Sequence, residues 1–146
     1  EASLAVDLIL ELLRCGVPAE EIGVVAPYRA QGRALRGLLR KALPEQPERR
    51  RALVVDTVER MQGQEREVML VSLTTSNPTF ASTLADFLFQ PERLNVAITR
   101  PRAKLIILGS RHLLDARPAD PEQQEALELL RDLLAGCAAR VVDYHR

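Results

Sequence analysis

Residues 93–109, RLNVAITRPRAKLIILG, set Arg93, Asn95, Thr99 and Arg100 directly ahead of an apolar run. Positive charge and hydrogen-bonding groups thus precede a segment that reads as a buried strand. A second polar group, ERMQGQERE at 59–67, reads by itself as a charged turn between a short helix and a strand. Within it Gly63 permits a close or unusual backbone turn. A third set is basic: Arg29, Arg33, Arg36, Arg40 and Lys41 form a stripe. Such a stripe is first a solvated helix face and second an auxiliary phosphate-contacting surface. Two histidines and two cysteines, Cys15 and Cys137, show no metal-ligand spacing, so no metal site is expected. The cysteines read as buried or half-buried free thiols in a reducing compartment.

The elements that must position these groups follow from apolar periodicity. Residues 3–16 carry Leu4, Leu8 and Leu12 at helical spacing, closed by Gly16. A short apolar strand follows at 22–26, stopped by Pro27, and a second helix runs to Leu43 with Leu35, Leu38 and Leu39 on its inner side. PEQPERR, from residue 44, reads as a turn-rich link. Strands are expected at 52–58, 67–75 and 103–109, with a short helix over 91–99 that Pro101 ends. The stretch 76–92 reads as a loop holding a short apolar helix near 84–89. A capped helix is expected from about Asp120 to Gly136, and 139–145 reads as a possible edge strand.

Strands this apolar must be covered on both faces, and strands separated by helices achieve that as a parallel sheet. The expected fold is an α/β three-layer sandwich. Polar residues gather at the strand C-termini: Pro27 and Tyr28, Asp56 and Thr57, Thr74 and Thr75, Gly109 and Ser110. Open sheets bind ligands at that edge. The chain has 146 residues, with 20 Lys plus Arg against 20 Asp plus Glu, which argues against a strongly basic module but not against a local basic surface. There is no apolar run of membrane-spanning length and no signal peptide, so an intracellular, cytoplasmic protein is expected. Leucine-, alanine- and arginine-rich composition without tryptophan suggests a bacterial gene. The chain begins at a glutamate inside a helix and reads as one domain cut from something longer.

EIGVVAPYRAQ, VDTVERMQGQEREVMLVSL and RLNVAITRPRAKLIILG, in this order and spacing after a leading helix, resemble the second RecA-like domain of superfamily 1 helicases. The Upf1-like and Dna2-like branch is the most similar, and the resemblance covers about residues 1–115. It implies a P-loop NTPase fold lacking its own P-loop, since no GxxxxGK[ST] occurs here. ATP with Mg²⁺ would be held mainly by a first RecA-like domain of the same polypeptide. Arg100 matches the arginine that reaches the γ-phosphate across the cleft, a task suited to a permanently charged planar fork of donors. Gln62, Gly63 and Glu65 match the motif beside the nucleotide, and Arg93 and Asn95 open the last motif. Pro27, Tyr28, Gln31 and Thr57 match positions on the face that carries single-stranded DNA or RNA.

Two departures stand out. Pro101 occupies a position where many relatives have alanine, and it biases Arg100 out of the helical region. Gln64 stands where some relatives have arginine, which removes one charge from the loop. The implied function is the C-terminal motor domain of an ATP-dependent helicase translocating 5′ to 3′, inactive as an ATPase by itself. A non-catalytic nucleotide- or nucleic-acid-binding module and the helicase part of a helicase–nuclease fusion remain as alternatives. Asp56, Glu65 and Glu67 form no plausible metal cluster for a nuclease.

Overall fold

A computed structural model describes residues 1–61, 63–73, 91–110, 114–115 and 117–138, with the side chains of residues 91, 93 and 94 left aside. Helix α1 (Ala2–Arg14) is followed by a 3₁₀ turn (Ala19–Glu21) and strand β1 (Ile22–Val25). Helix α2 (Arg29–Ala42), a short α3 (Pro47–Ala52) and strand β2 (Val54–Asp56) come next. A 3₁₀ turn (Val58–Met61) leads to strand β3 (Arg66–Ser72). Helix α4 (Pro91–Thr99) runs directly into strand β4 (Pro101–Leu108), and α5 (Pro121–Ala135) follows. The sheet order is β2-β1-β3-β4, and every pair is parallel.

Strand alternation decides which layer each side chain joins. Ile22, Val24, Val55, Val68, Leu70 and Leu108 face one core with Ala5, Val6 and Ile9 of α1 and Leu35 and Leu39 of α2. Val25, Met69 and Val71 face the other core with Val58, Met61, Ala97 of α4 and Ala126, Leu127 and Leu130 of α5. The sheet is therefore covered on both faces, and the expected three-layer α/β sandwich is the observed fold. Gly23 on β1 lies beneath the two methionines of the second core; a Cβ there would sit 2.4 Å from Met69 Sδ. Helix α1 ends as its periodicity predicts. Gly16 adopts φ +87°, and Val17 N–H reaches back to Leu12 O at 3.0 Å, which satisfies a terminal carbonyl.

Several elements differ from the sequence expectation. Part of the link expected from residue 44 is helical: Pro47 enters the first turn of α3, where its missing N–H is no loss. Strand β2 is shorter than expected, because Thr57 O accepts from both Arg60 N–H and Met61 N–H and starts the 3₁₀ turn instead. Both cysteines are free but exposed, not buried. The cap on α5 is as read, with Asp120 Oδ1 accepting from Glu122 N–H at 2.8 Å. The expected loop with a helix near 84–89, the residues Thr74 and Thr75, and the possible strand at 139–145 lie outside the described residues.

Candidate nucleotide and strand-binding surfaces

Arg100 is the single residue between α4 and β4, so its position is fixed from both sides. Pro101 ends the helix and opens the strand, and Thr99 Oγ1 donates to Asn95 O at 2.7 Å inside the last helical turn. The neighbouring strand holds Arg100 a third way: Arg66 N–H donates to Arg100 O at 3.2 Å. The Arg100 side chain is half-buried. Its Nε is buried and has no hydrogen-bond acceptor among the described residues, while Nη2 lies 3.4 Å from Thr99 Oγ1. Among those residues no carboxylate comes within ion-pair distance of it. The stem is held and the fork is open.

The segment before β3 delivers a second set of groups to the same place. The 3₁₀ turn carries the chain from the C-terminal end of β2 across the sheet face, with buried Met61 against Gly23. Gln64 N–H closes a turn onto Met61 O at 3.0 Å, and Gly63 adopts φ +80° within it. Only glycine takes that conformation without strain. Glu65 follows, exposed, at the N-terminal end of β3. Arg66 donates from Nη1 to Glu65 O at 2.7 Å and from Nη2 to Gln64 Oε1 at 3.1 Å. Its Nε is also buried without an acceptor. Arg66 thus brings a positive charge into hydrogen-bond contact with Gln64.

A clamp next to these residues escaped the sequence reading. Register shifts between Arg66 and Val68, whose partners are Pro101 and Lys104, so Arg102 and Ala103 share one β3 position. Such a bulge bends the strand and re-aims its side chains. Here it lets Arg102 meet Glu67 Oε1 at 2.9 Å and Glu21 Oε2 at 2.5 Å. Glu21 also accepts from Glu67 N–H at 3.1 Å. The Glu67 backbone N–H, and then Arg102, hold the Glu21 carboxyl below the usual glutamate range against the opposing effect of burial. Hydrogen bonds to Glu67 and Glu21 raise the Arg102 guanidinium above its ordinary value.

The other predicted residues lie at the opposite edge, where the strands end. Pro27 is buried, so it shapes the turn after β1 instead of offering surface. Tyr28, half-buried and extended (φ −123°, ψ 143°), is the residue before α2. Gln31 Nε2 donates to Ser72 Oγ at 3.1 Å, and Ser72 Oγ donates to Glu1 Oε1 at 2.9 Å. Thr57 is half-buried, and its N–H donates to Asp56 Oδ1 at 2.9 Å. The sequence expectation put the ligand site at this edge. The structure instead splits the candidates, with Tyr28, Gln31 and Thr57 at the strand ends and Gly63, Glu65 and Arg100 at the strand starts. Asn95 is exposed on α4; Gln62 and the Arg93 side chain lie outside the described residues. Arg66, Arg102 and Glu21 were missed because only the β3–β4 register brings them together.

Residues 1–112 match the model of an AAA domain family, AAA_12. The chain belongs to that family. The match and the relatives together make this AAA_12 domain a helicase domain of the Upf1-like and Dna2-like kind. It is 40% identical over 110 residues to the DNA replication ATP-dependent helicase/nuclease DNA2 of Mus musculus, covering 75% of this chain and 10% of that protein. It is 35% identical over 114 residues to the DNA polymerase alpha-associated DNA helicase A of Saccharomyces cerevisiae, covering 78% and 16%. It is 34% identical over 111 residues to the probable RNA helicase armi of Drosophila melanogaster, covering 73% and 9%. The chain therefore spans a sixth or less of these relatives. All three are eukaryotic and lend no support to the bacterial origin that composition suggests. Among the described residues no helix is long and apolar enough to cross a membrane, and no three His, Cys, Asp or Glu converge as a metal site.

Proposed function

We propose that this AAA_12 domain is the second RecA-like motor domain of an ATP-dependent superfamily 1 helicase, one domain of a longer intracellular polypeptide. Arg100 carries the reading. It is an arginine held by helix, strand and a neighbour's hydrogen bond, with a buried Nε that has no acceptor among the described residues. Its Nη1 makes no hydrogen bond among the described residues, and an acceptor-rich anion presented by another domain would meet that open fork, a phosphate best of all. ATP with Mg²⁺ supplies such a phosphate. Arg100 would stabilise the charge that develops on the transferring phosphoryl group, while Glu65, Gly63 and Gln62 border the nucleotide and Arg93 and Asn95 brace the same cleft. The Mg²⁺ and the phosphate-binding loop belong to the first RecA-like domain, so this domain alone turns over no ATP.

The strand-end edge serves the second half of the cycle. Tyr28 provides a face for a base, and Thr57 and Gln31 provide polar groups for the backbone, with Pro27 setting the turn between them. Closure on ATP and opening on hydrolysis would shift this grip along a single strand, 5′ to 3′ as in the branch it resembles. The substrate proposed is DNA, because two of the three relatives carry DNA in their names; RNA is the other outcome. The names that pair helicase with nuclease favour a second reading, in which the same motor serves a fused nuclease. The deciding experiment is Arg100→Ala in the complete protein. Loss of about 10³-fold or more in strand-stimulated ATP turnover, with single-strand affinity retained, is expected. Normal turnover would remove Arg100 from the site.

A further inference from the structure

A cavity lies on the flank of the sheet, away from Arg100. It is a groove of about 460 Å³ between α2, α3 and the outer side of the edge strand β2. Leu39, Leu53, Val55 and Pro47 contribute its apolar part. Its charged lining consists of four guanidiniums, Arg36 and Arg40 from α2 and Arg50 and Arg51 from α3, and includes no carboxylate. In a chain of zero net charge that concentration is a local exception.

Two of the four arginines are fixed in place. Arg36 Nη1 donates to Val55 O at 2.7 Å, covering the open edge of β2. Arg50 Nη1 donates to Leu43 O and to Pro44 O, the latter at 2.8 Å. Each uses one nitrogen, and the others make no further hydrogen bond among the described residues. Arg40 is exposed; Arg51 pairs with Glu48 at 3.3 Å, but both partners are well exposed, and such a pair is readily exchanged. The groove thus presents preset donors with exposed ones at its rim. It also connects to the strand-end edge. Arg29, Arg33, Arg36 and Arg40 follow one another at helical spacing from beside Tyr28, a rise of about 16 Å along α2.

We infer that this groove is a phosphodiester-binding site, taking the backbone of a single nucleic-acid strand as it leaves Tyr28 and Thr57 and runs down α2. Phosphate is the matching chemistry because guanidinium forks grip it in pairs and because sugar edges tolerate the apolar part. The inference rests on the strand-binding reading proposed above, and α3 is what completes the site.

The test uses a fluorescein-labelled oligothymidylate and anisotropy titrations of the protein, the Arg40→Gln/Arg51→Gln variant and a charge-matched control, Arg14→Gln/Lys104→Gln, whose residues lie away from the groove. Between about 50 and 200 mM salt the groove variant should lose about 1.4 from the slope of log affinity against log salt. If the curves meet at 1 M, that slope corresponds to roughly 25-fold weaker binding at 0.1 M. The control should match the unaltered protein. A groove variant that behaves like the control overturns the inference while leaving the Tyr28 edge intact. A protein that binds no strand at all overturns both readings.

Discussion

At the scale of single residues, the loop before β3 depends on one backbone conformation. Gly63 sits at φ +80°, and a Cβ there would meet nothing within 4 Å. Any effect of substitution is therefore conformational, not steric. Gly63→Ala should cost about 1 kcal/mol, the penalty of a left-handed L-residue, and lower the melting temperature by about 3 °C. Gly63→Asn, which tolerates that region better, should lose less. Equal losses in thermal melts of the two variants would show that the loop escapes the strain by refolding. The same loop carries Glu65 and the Gln64–Arg66 bond, so Gly63→Ala should also weaken strand-stimulated ATP turnover in the complete protein.

At the scale of elements, the sheet is fastened across its strand starts by the Glu21–Arg102–Glu67 clamp, which ties β3 and β4 to the turn before β1. Its pH dependence has a definite sign. Because the Glu21 pKa is lowered in the folded state, the unfolded chain binds more protons between the two pKa values, and stability rises with pH there. The contribution is complete above about pH 4.3, the ordinary glutamate value, and fades as pH falls through the lower folded value. Arg102, whose pKa is raised, stays charged throughout this range. Arg102→Ala should therefore melt below the unaltered protein at neutral pH, with the gap narrowing under acid. A gap that stays constant as the pH falls below the ordinary glutamate value, about 4.3, would mean that Arg102 does not help to hold Glu21.

This clamp also marks the limit of what the sequence made legible. The strands were readable because each is apolar and bounded by Pro, Gly or charge, and their covering on both faces required helices between them. Helix α3 was hidden by two prolines and a glutamine in PEQPERR, residues that favour turns. Arg66, Arg102 and Glu21 carry no local signal; they become partners only through a long-range register and a bulge. For the same reason the sequence could align Arg100 and Tyr28 with known motifs yet could not tell that they occupy opposite edges.

That division sets the behaviour of the whole molecule. β3 has seven residues, so Tyr28 and Arg100 are separated by roughly the 20 Å length of that strand. No hydrogen bond or ion pair among the described residues joins them directly. What links the edges is rigid: β3 itself, with Ser72 bonded to Gln31 at one end and Arg66 bonded to Arg100 at the other. A change confined to one end should therefore leave the other's local chemistry unaltered. On the proposed reading Tyr28→Ala removes a base-stacking face, and the loss should be about 1–3 kcal/mol, or roughly 5- to 150-fold in single-strand affinity. Nucleotide affinity of the complete protein should stay the same, and ATP turnover at saturating strand should fall far less than in Arg100→Ala. Titration of labelled strand and of a fluorescent nucleotide against the same variant separates the two effects. Unchanged strand affinity at several salt concentrations would take Tyr28 out of the interface. A parallel loss of nucleotide affinity would instead show that β3 transmits the substitution along its length.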